Sequence, residues 1–397
     1  MKISFLNKST SIIICAVIIF SALSRPVYSS HSSETSERKI IVFKSTLTDD
    51  ATKENIIKKH GGIKIKKLDL VNGAVVYLTN KQKNALSIEG EIARIEDDVI
   101  ISVSGKGSDV PTNTQPAQQV PWGILQIKAD SVWLVTTADR VKVAVIDSGI
   151  DLSHPDLIDN IKGGYNTINP KKSANDDYGH GTHVAGIIAA ENNSIGVVGV
   201  GPQIDLYAVK VLNSQGSGYV SDVIEGLDWS MKNGMQIINM SFGMPTDSQS
   251  LHDAISLVNQ SGIVQIASAG NSYGGSVSYP AAYPEVISVS ATDSSNQIAP
   301  FSSKGKVDLS APGVSIFSTY KGSTYQTMNG TSMAAPHVTG VAALLLSVPS
   351  KCDLNYDGLV SPAEIKQRLE NTAVDLGVSG KDGIFGAGLV NAYSAIQ

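Results

Sequence analysis

The sequence predicts an α/β fold with a mainly parallel sheet flanked by helices, preceded by a small α+β unit. Three observations carry that prediction. From Pro121 onward apolar strand-like runs alternate with helical stretches, the pattern of parallel strands joined by crossover helices. Three of those runs, at 141–146, 236–240 and 263–270, feed straight into a polar residue: Asp147, Ser241 and Asn271. Residues 38–104 have a strand and helix order of their own. After them, 105–117 lacks periodicity and is rich in Gly, Ser, Pro, Thr and Gln, as an exposed processing linker is.

Taken in order, Lys2 and Lys8 precede an apolar run at 12–20 that is too short to span a bilayer comfortably, and small residues follow at 22–24 and 27–29. Residues 1–29 are therefore expected to be an export signal, the protein secreted and without a stable membrane anchor. Cys15 leaves with the signal, so Cys352 has no partner and the mature chain holds no disulfide. In 38–104, strands at 40–43, 63–67 and 74–78, helices at 52–60 and 81–87, and a last strand at 92–95 with 99–103 give the order β-α-β-β-α-β, the ferredoxin-like pattern. Residues 118–397 form the main domain. Residues 1–104 carry 15 basic and 11 acidic side chains, and the remainder 16 and 25, so the two parts should attract each other and the larger should favour cations. A net charge of −5 is not the footprint of a nucleic-acid binder.

The polar turn Asn329-Gly330-Thr331-Ser332 feeds a helix with the apolar run 341–346, which puts Ser332 near a helix N-terminus. That suits a hydroxyl attacking a group that develops an oxyanion; on this segment alone a helix cap is the better reading, and the residues upstream change the balance. His180 opens a helix of small residues, as a base that a neighbouring carboxylate orients. A metal site on His180 and His183 lacks both the His-Glu-x-x-His spacing and a third ligand. His183, His154 and His337 are expected to be structural. Ligands of open α/β sheets bind beyond the carboxyl ends of strands, so Asp147, Ser241 and Asn271 should share one crevice.

Asp-Ser-Gly-Ile from Asp147, His-Gly-Thr-His-Val-Ala-Gly from His180, Asn271, and Gly-Thr-Ser-Met-Ala-Ala-Pro-His around Ser332 stand in an order that resembles the subtilisin family of serine endopeptidases. The resemblance spans 117–397, and 38–104 resembles that family's inhibitory propeptide. It implies a subtilisin-like fold in which Ser332 is the nucleophile, His180 the proton carrier and Asp147 its orienting carboxylate. The Asn271 amide and the Ser332 N–H would form the oxyanion hole. It implies protein and peptide substrates, lying as an added strand between Gly216, Ser217, Gly218 and Ser241, Phe242, Gly243. The pocket for the residue before the cut would be lined by Ala269 and Gly270 with Ser278 at its base; with no acid there, cleavage is expected after large apolar or aromatic residues. It further implies a monomer whose own propeptide assists folding, blocks the cleft, and is cut off near Ser104, the mature chain starting within 105–117. The implied cofactor is Ca2+, held by Gln118, Asp156, Asn193 and the carbonyls of Glu191, Ile195 and Val197. A weaker cation site would use the carbonyls of Ala281, Tyr283 and Val286.

A second calcium signal is independent of the family and departs from it. Asp353, Asn355, Asp357 and Glu364 occupy positions 1, 3, 5 and 12 of an EF-hand loop, with Gly358 at 6 and the Leu359 carbonyl at 7. The competing reading of this segment is an acidic surface turn. The competing reading of the whole chain is a catalytically dead, secreted calcium-binding interaction module on the same fold.

Overall fold

A computed structural model describes residues 35–103, 106–107 and 115–397, with 106–107 as backbone. The export signal, Ser104 and most of the linker lie outside the described residues. Among those described, no helix is long and apolar enough to cross a membrane.

The N-terminal unit runs β1 (Glu37–Phe43), α1 (Asp50–Lys59), β2 (Ile63–Leu68), β3 (Gly73–Leu78), α2 (Asn80–Leu86) and β4 (Ile92–Asp97), in an antiparallel sheet of order β2-β3-β1-β4. Its helices start where side chains take up free N–H groups: Asp49 accepts from Thr52, and Thr79 and Gln82 form a capping box. Alternation decides which face packs where. Ile41 and Phe43 cluster with Ile57 and Leu86 of the unit's own helices, whereas Ile40 and Val42 join a core that belongs to the larger domain.

The remaining elements in chain order are β5 (Ile100–Val103), β6 (Lys106–Gly107), α3 (Trp122–Gln126), β7 (Lys142–Asp147), β8 (Ile161–Asn166), α4 (His180–Ala189), β9 (Asp205–Lys210), β10 (Ser217–Tyr219), α5 (Val220–Lys232), β11 (Ile237–Met240), β12 (Phe242–Gly243), α6 (Gln249–Gln260), β13 (Val264–Ser268), β14 (Ile287–Thr292), β15 (Leu309–Pro312), β16 (Ile316–Tyr320), β17 (Thr324–Asn329), α7 (Thr331–Leu346), α8 (Pro362–Asn371) and α9 (Ala392–Ile396). Seven of them form a wholly parallel sheet of order β15-β14-β13-β11-β7-β9-β8. Val143 and Val145 of β7 pack toward α4 and α7, and Ala144 and Ile146 toward α5 and α6, so the central strands are apolar on both faces. The order reverses direction between β7 and β11, and Asp147 and Ser241 lie at that switch point.

One expectation needs correction. Residues 99–103 do not complete the N-terminal sheet: β5 leaves it and becomes the middle strand of a separate antiparallel sheet, β10-β5-β12. The expected attraction between the two parts is visible as ion pairs. Lys66 reaches Asp222 at 2.6 Å and Glu225 at 2.7 Å, and Arg94 reaches Asp253 at 2.6 Å. Asp98 and Glu96 accept backbone N–H groups from Ser221 and Ser250, at the open N-terminal turns of α5 and α6.

Candidate active site

Asp147 ends β7 and His180 begins α4, and both are fully buried. His180 Nδ1 lies 2.9 and 3.0 Å from the two Asp147 carboxylate oxygens. Those oxygens only accept, so Nδ1 carries a proton, and Nε2 is the ring nitrogen left to exchange one. Nε2 has no hydrogen-bond partner among the described residues. The turn before α4 is fixed by Asp176, which accepts from the N–H groups of Tyr178, Gly179 and Thr182 and from the Thr182 hydroxyl. Sequence reading gave Asp176 no role, because only the folded turn gathers four donors on one carboxylate.

Ser332 is the second residue of α7, as expected, but it is not a cap: its hydroxyl donates across the site to the Ser241 carbonyl, at 2.9 Å. Pro336 explains the return bond. Proline lacks the N–H that would bond the carbonyl four residues back, so the Ser332 carbonyl is left open and takes the Ser241 hydroxyl instead, at 3.0 Å. Ser241 is held in turn by the Asn239 amide at 2.9 Å, and Asn239 by Thr339 of α7 at 2.8 Å. The Ser332 N–H lies in the first helical turn, whose N–H groups have no acceptor within the helix.

Asn271 follows β13. Its side-chain oxygen accepts from the Thr331 N–H at 3.1 Å and the Thr331 hydroxyl at 2.9 Å. A backbone N–H can only donate, so the oxygen must face Thr331 and the amide nitrogen must face the opposite way. Thr331 was not singled out from the sequence; its role depends on a contact between residues sixty apart.

The predicted substrate strands flank β5. Ser217 and Gly218 pair with Ser102 and Ile101 on one side, and Phe242 and Gly243 with Val103 and Ser102 on the other. The Val103 N–H donates to the Gly216 carbonyl at 3.1 Å. Gly216 has φ +70°, and a Cβ there would lie 2.8 Å from the Tyr178 ring and 3.1 Å from Val103, so its bareness lets a second backbone approach. Beyond residues 104–105, β6 pairs with Met328 and Asn329 of β17, just before Ser332. Ala269 accepts from the Ser278 N–H at 2.9 Å, which brings Ser278 against Gly270 and Gly243.

The other histidines fit structural roles. His183 Nε2 donates to the carbonyls of Ile316 and Gln326, and burial lowers its pKa to about 3. His337 is bonded to the Met333 carbonyl and lowered by burial to about 4, and His154 bridges Thr324 and Asp156.

Buried Asp156 is linked by hydrogen bonds to several of the residues expected at the cation site. The Gln118 amide nitrogen bonds the Glu191 carbonyl at 3.1 Å, the Asn193 amide nitrogen bonds Asp156 at 3.0 Å, and Val197 N–H bonds Asp156 at 2.9 Å. Gly196, at φ +63°, packs so closely that a Cβ there would lie 2.1 Å from the Tyr325 hydroxyl and 2.3 Å from the Asp156 carboxylate. Burial pushes the Asp156 carboxyl up to about 7, and Glu191 adds to the rise. In the EF-like segment, Gly358 has φ +84° and Glu364 lies in the first turn of α8, as expected. Its carboxylates are engaged by backbone N–H groups of the loop: Asp353 accepts from Asp357 and Gly358, Asp357 from Leu359, and Glu364 from Leu354, Asn355 and Ser361. Among the described residues no three His, Cys, Asp or Glu side chains converge as metal ligands. Cys352 is buried and free, its thiol against the carbonyls of Leu345 and Pro349.

A parallel sheet that delivers a buried carboxylate–imidazole pair and a helix-start serine to its switch point has the arrangement of a serine hydrolase. Comparison with known proteins agrees. The Subtilase family profile matches residues 138–388. Subtilisin E of Bacillus subtilis (strain 168) is 45% identical over 374 residues, 92% of this chain and 92% of its own. Subtilisin J of Geobacillus stearothermophilus is 44% identical over 380 residues, 94% and 93% of the two chains. Subtilisin Savinase of Lederbergia lenta is 47% identical over 283 residues, 71% of this chain and all of its own. The chain belongs to the subtilase family and is a serine endopeptidase, a hydrolase whose substrates are proteins.

Proposed function

We propose that the chain is a secreted, self-processing zymogen that cuts peptide bonds through Ser332, His180 and Asp147, with broad preference for large apolar or aromatic residues before the cut. The observation that carries this reading is β5, which lies as an antiparallel strand between β10 and β12, with β6 pairing to Met328 and Asn329 of β17, the residues shortly before Ser332. An extended peptide held by backbone pairing on both edges is a substrate's posture. Residues 38–104 act as inhibitor and folding partner, released by a cut near Ser104.

In the reaction Ser332 turns its hydroxyl from the Ser241 carbonyl to His180 Nε2. As Oγ bonds to the peptide carbonyl carbon, its proton passes to Nε2, and Asp147 stabilises the charged ring. The oxyanion is received by the Asn271 amide nitrogen and the Ser332 N–H. The C–N bond then breaks as Nε2 returns the proton to the leaving amine, and water releases the acyl group by the same steps.

The residues assigned to the pocket, Ala269, Gly270 and Ser278, include no acid to pair a cation. Peptides with Phe, Tyr or Leu before the cut should show higher kcat/KM than matched peptides with Arg or Lys. A preference for the basic residues, measured on the processed enzyme, would contradict the pocket assignment.

The Asp156 site suits Ca2+, a hard cation that takes six to eight oxygen ligands. A half-turn of the Gln118 and Asn193 amides brings their oxygens inward at almost no change of shape. The pH dependence has a definite sign. A carboxyl held above its unfolded value of about 3.9 stabilises the fold only while protonated, so the cation-free protein loses stability as pH rises from about 4 toward 7. A bound cation keeps the carboxylate ionised and removes that loss. The Tm gap between calcium-loaded and chelated Ser332→Ala protein should therefore widen from pH 5 to pH 7.5; a gap that narrows would remove Asp156 from the site. Asp353, Asn355, Asp357, the Leu359 carbonyl and Glu364 form a second, EF-like calcium loop in this reading, and Asp357→Ala should lower the bound calcium measured by equilibrium dialysis.

A further inference from the structure

The family resemblance assigns a loosely held cation to the carbonyls of Ala281, Tyr283 and Val286, and here the residues do not fit one. Lys306 puts its ammonium where that ion would sit. Its Nζ donates to the Ala281 carbonyl at 3.1 Å, to the Val286 carbonyl, and to Asp308 at 2.7 Å. An ammonium has three N–H donors, and these three acceptors use them all. The third expected carbonyl, Tyr283, accepts the Val286 N–H at 3.2 Å and makes no bond to Lys306 among those the structure shows.

The surroundings also oppose a metal. Asp308, 2% exposed, is the only carboxylate on Lys306 among the described residues, and its other oxygen already takes Lys366 at 2.8 Å and Lys381 at 3.1 Å. Its second bond on the Lys306 side comes from the Ser288 N–H at 2.9 Å. A metal ion entering this loop would meet three ammonium groups and find its carboxylate fully paired.

We propose that the Lys306 ammonium is a built-in cation, covalently supplied, that closes the 281–286 loop onto β15 and makes this part of the fold independent of any free metal ion. The chain thus carries its own counter-charge at one site while the Asp156 site, elsewhere in the domain, keeps its oxygen donors for a bound ion.

The test uses the full chain in the Ser332→Ala background, to prevent self-digestion, with calcium held constant and saturating. Tm is measured in KCl and in choline chloride at equal ionic strength, choline being too large to enter the loop. The protein with Lys306 intact should melt at the same temperature in both salts. Lys306→Glu, which puts a carboxylate where the ammonium stood, should melt lower in choline chloride and gain several degrees with K+, in a saturable way. Should Lys306→Glu not fold, Lys306→Met removes the charge at similar size and should show the same acquired K+ dependence. A saturable K+ stabilisation in the protein with Lys306 intact would overturn the proposal, as would its absence in the folded variant.

Discussion

Ser332→Ala is expected to abolish peptide hydrolysis and leave the chain uncut between its two parts, while the fold persists. The substitution removes one hydroxyl and its bond to the Ser241 carbonyl. The bond from the Ser241 hydroxyl to the Ser332 carbonyl, which offsets the missing N–H of Pro336, is untouched, so the start of α7 stays anchored. The stability change should be that of one hydrogen bond, about 1 kcal/mol. The rate change is of another order. Without the attacking oxygen, His180 has no proton to take, and kcat should fall about a millionfold, the size known from removing the nucleophile of subtilisin itself. Turnover of a peptide substrate and the intact mass of the purified chain check both halves. Activity within a hundredfold of the parent, or a processed Ser332→Ala chain produced without added protease, would contradict the assignment.

Asn271→Leu is expected to lower kcat by about 100- to 1,000-fold with little change in KM, a magnitude taken from the equivalent loss in subtilisin rather than from this geometry. The geometry supplies the reason for the split between the two constants. Thr331 pins the Asn271 oxygen, so the amide nitrogen is held ready for the tetrahedral oxyanion. An interaction made mainly in the transition state affects kcat and leaves ground-state binding alone. Leucine keeps the approximate shape but leaves the Thr331 N–H and hydroxyl without their acceptor, at a cost of about 1–3 kcal/mol. A fall in kcat much larger than a thousandfold, with lost near-UV ellipticity, would indicate unfolding. A near-normal kcat would remove Asn271 from the mechanism.

The sequence made visible those features that local chemistry imposes. Apolar runs ending in Asp147, Ser241 and Asn271 were legible because a parallel sheet has functional groups at its carboxyl ends, and α4 and α7 because His180 and Ser332 open runs of small and apolar residues. Less was legible where the deciding partner is far along the chain. The alternation at 99–103 is the same whichever sheet accepts the strand, and only the pairing with β10 and β12 assigns it. The grip of Thr331 on Asn271 and the exchange of bonds between Ser241 and Ser332 join residues sixty and ninety apart, with no periodic trace. Lys306 was invisible for the same reason: a lysine before a strand reads as solvated surface until two loop carbonyls are found around its ammonium.

The central claim is that Ser332 is the group made reactive by His180. Treating the processed enzyme with an aryl sulfonyl fluoride and locating the adduct by peptide mass spectrometry tests it most directly. The adduct should sit on Ser332 alone, in step with loss of activity, and should be absent in His180→Ala. Full inactivation with Ser332 unmodified, or equal labelling of Ser332 in His180→Ala, would contradict it.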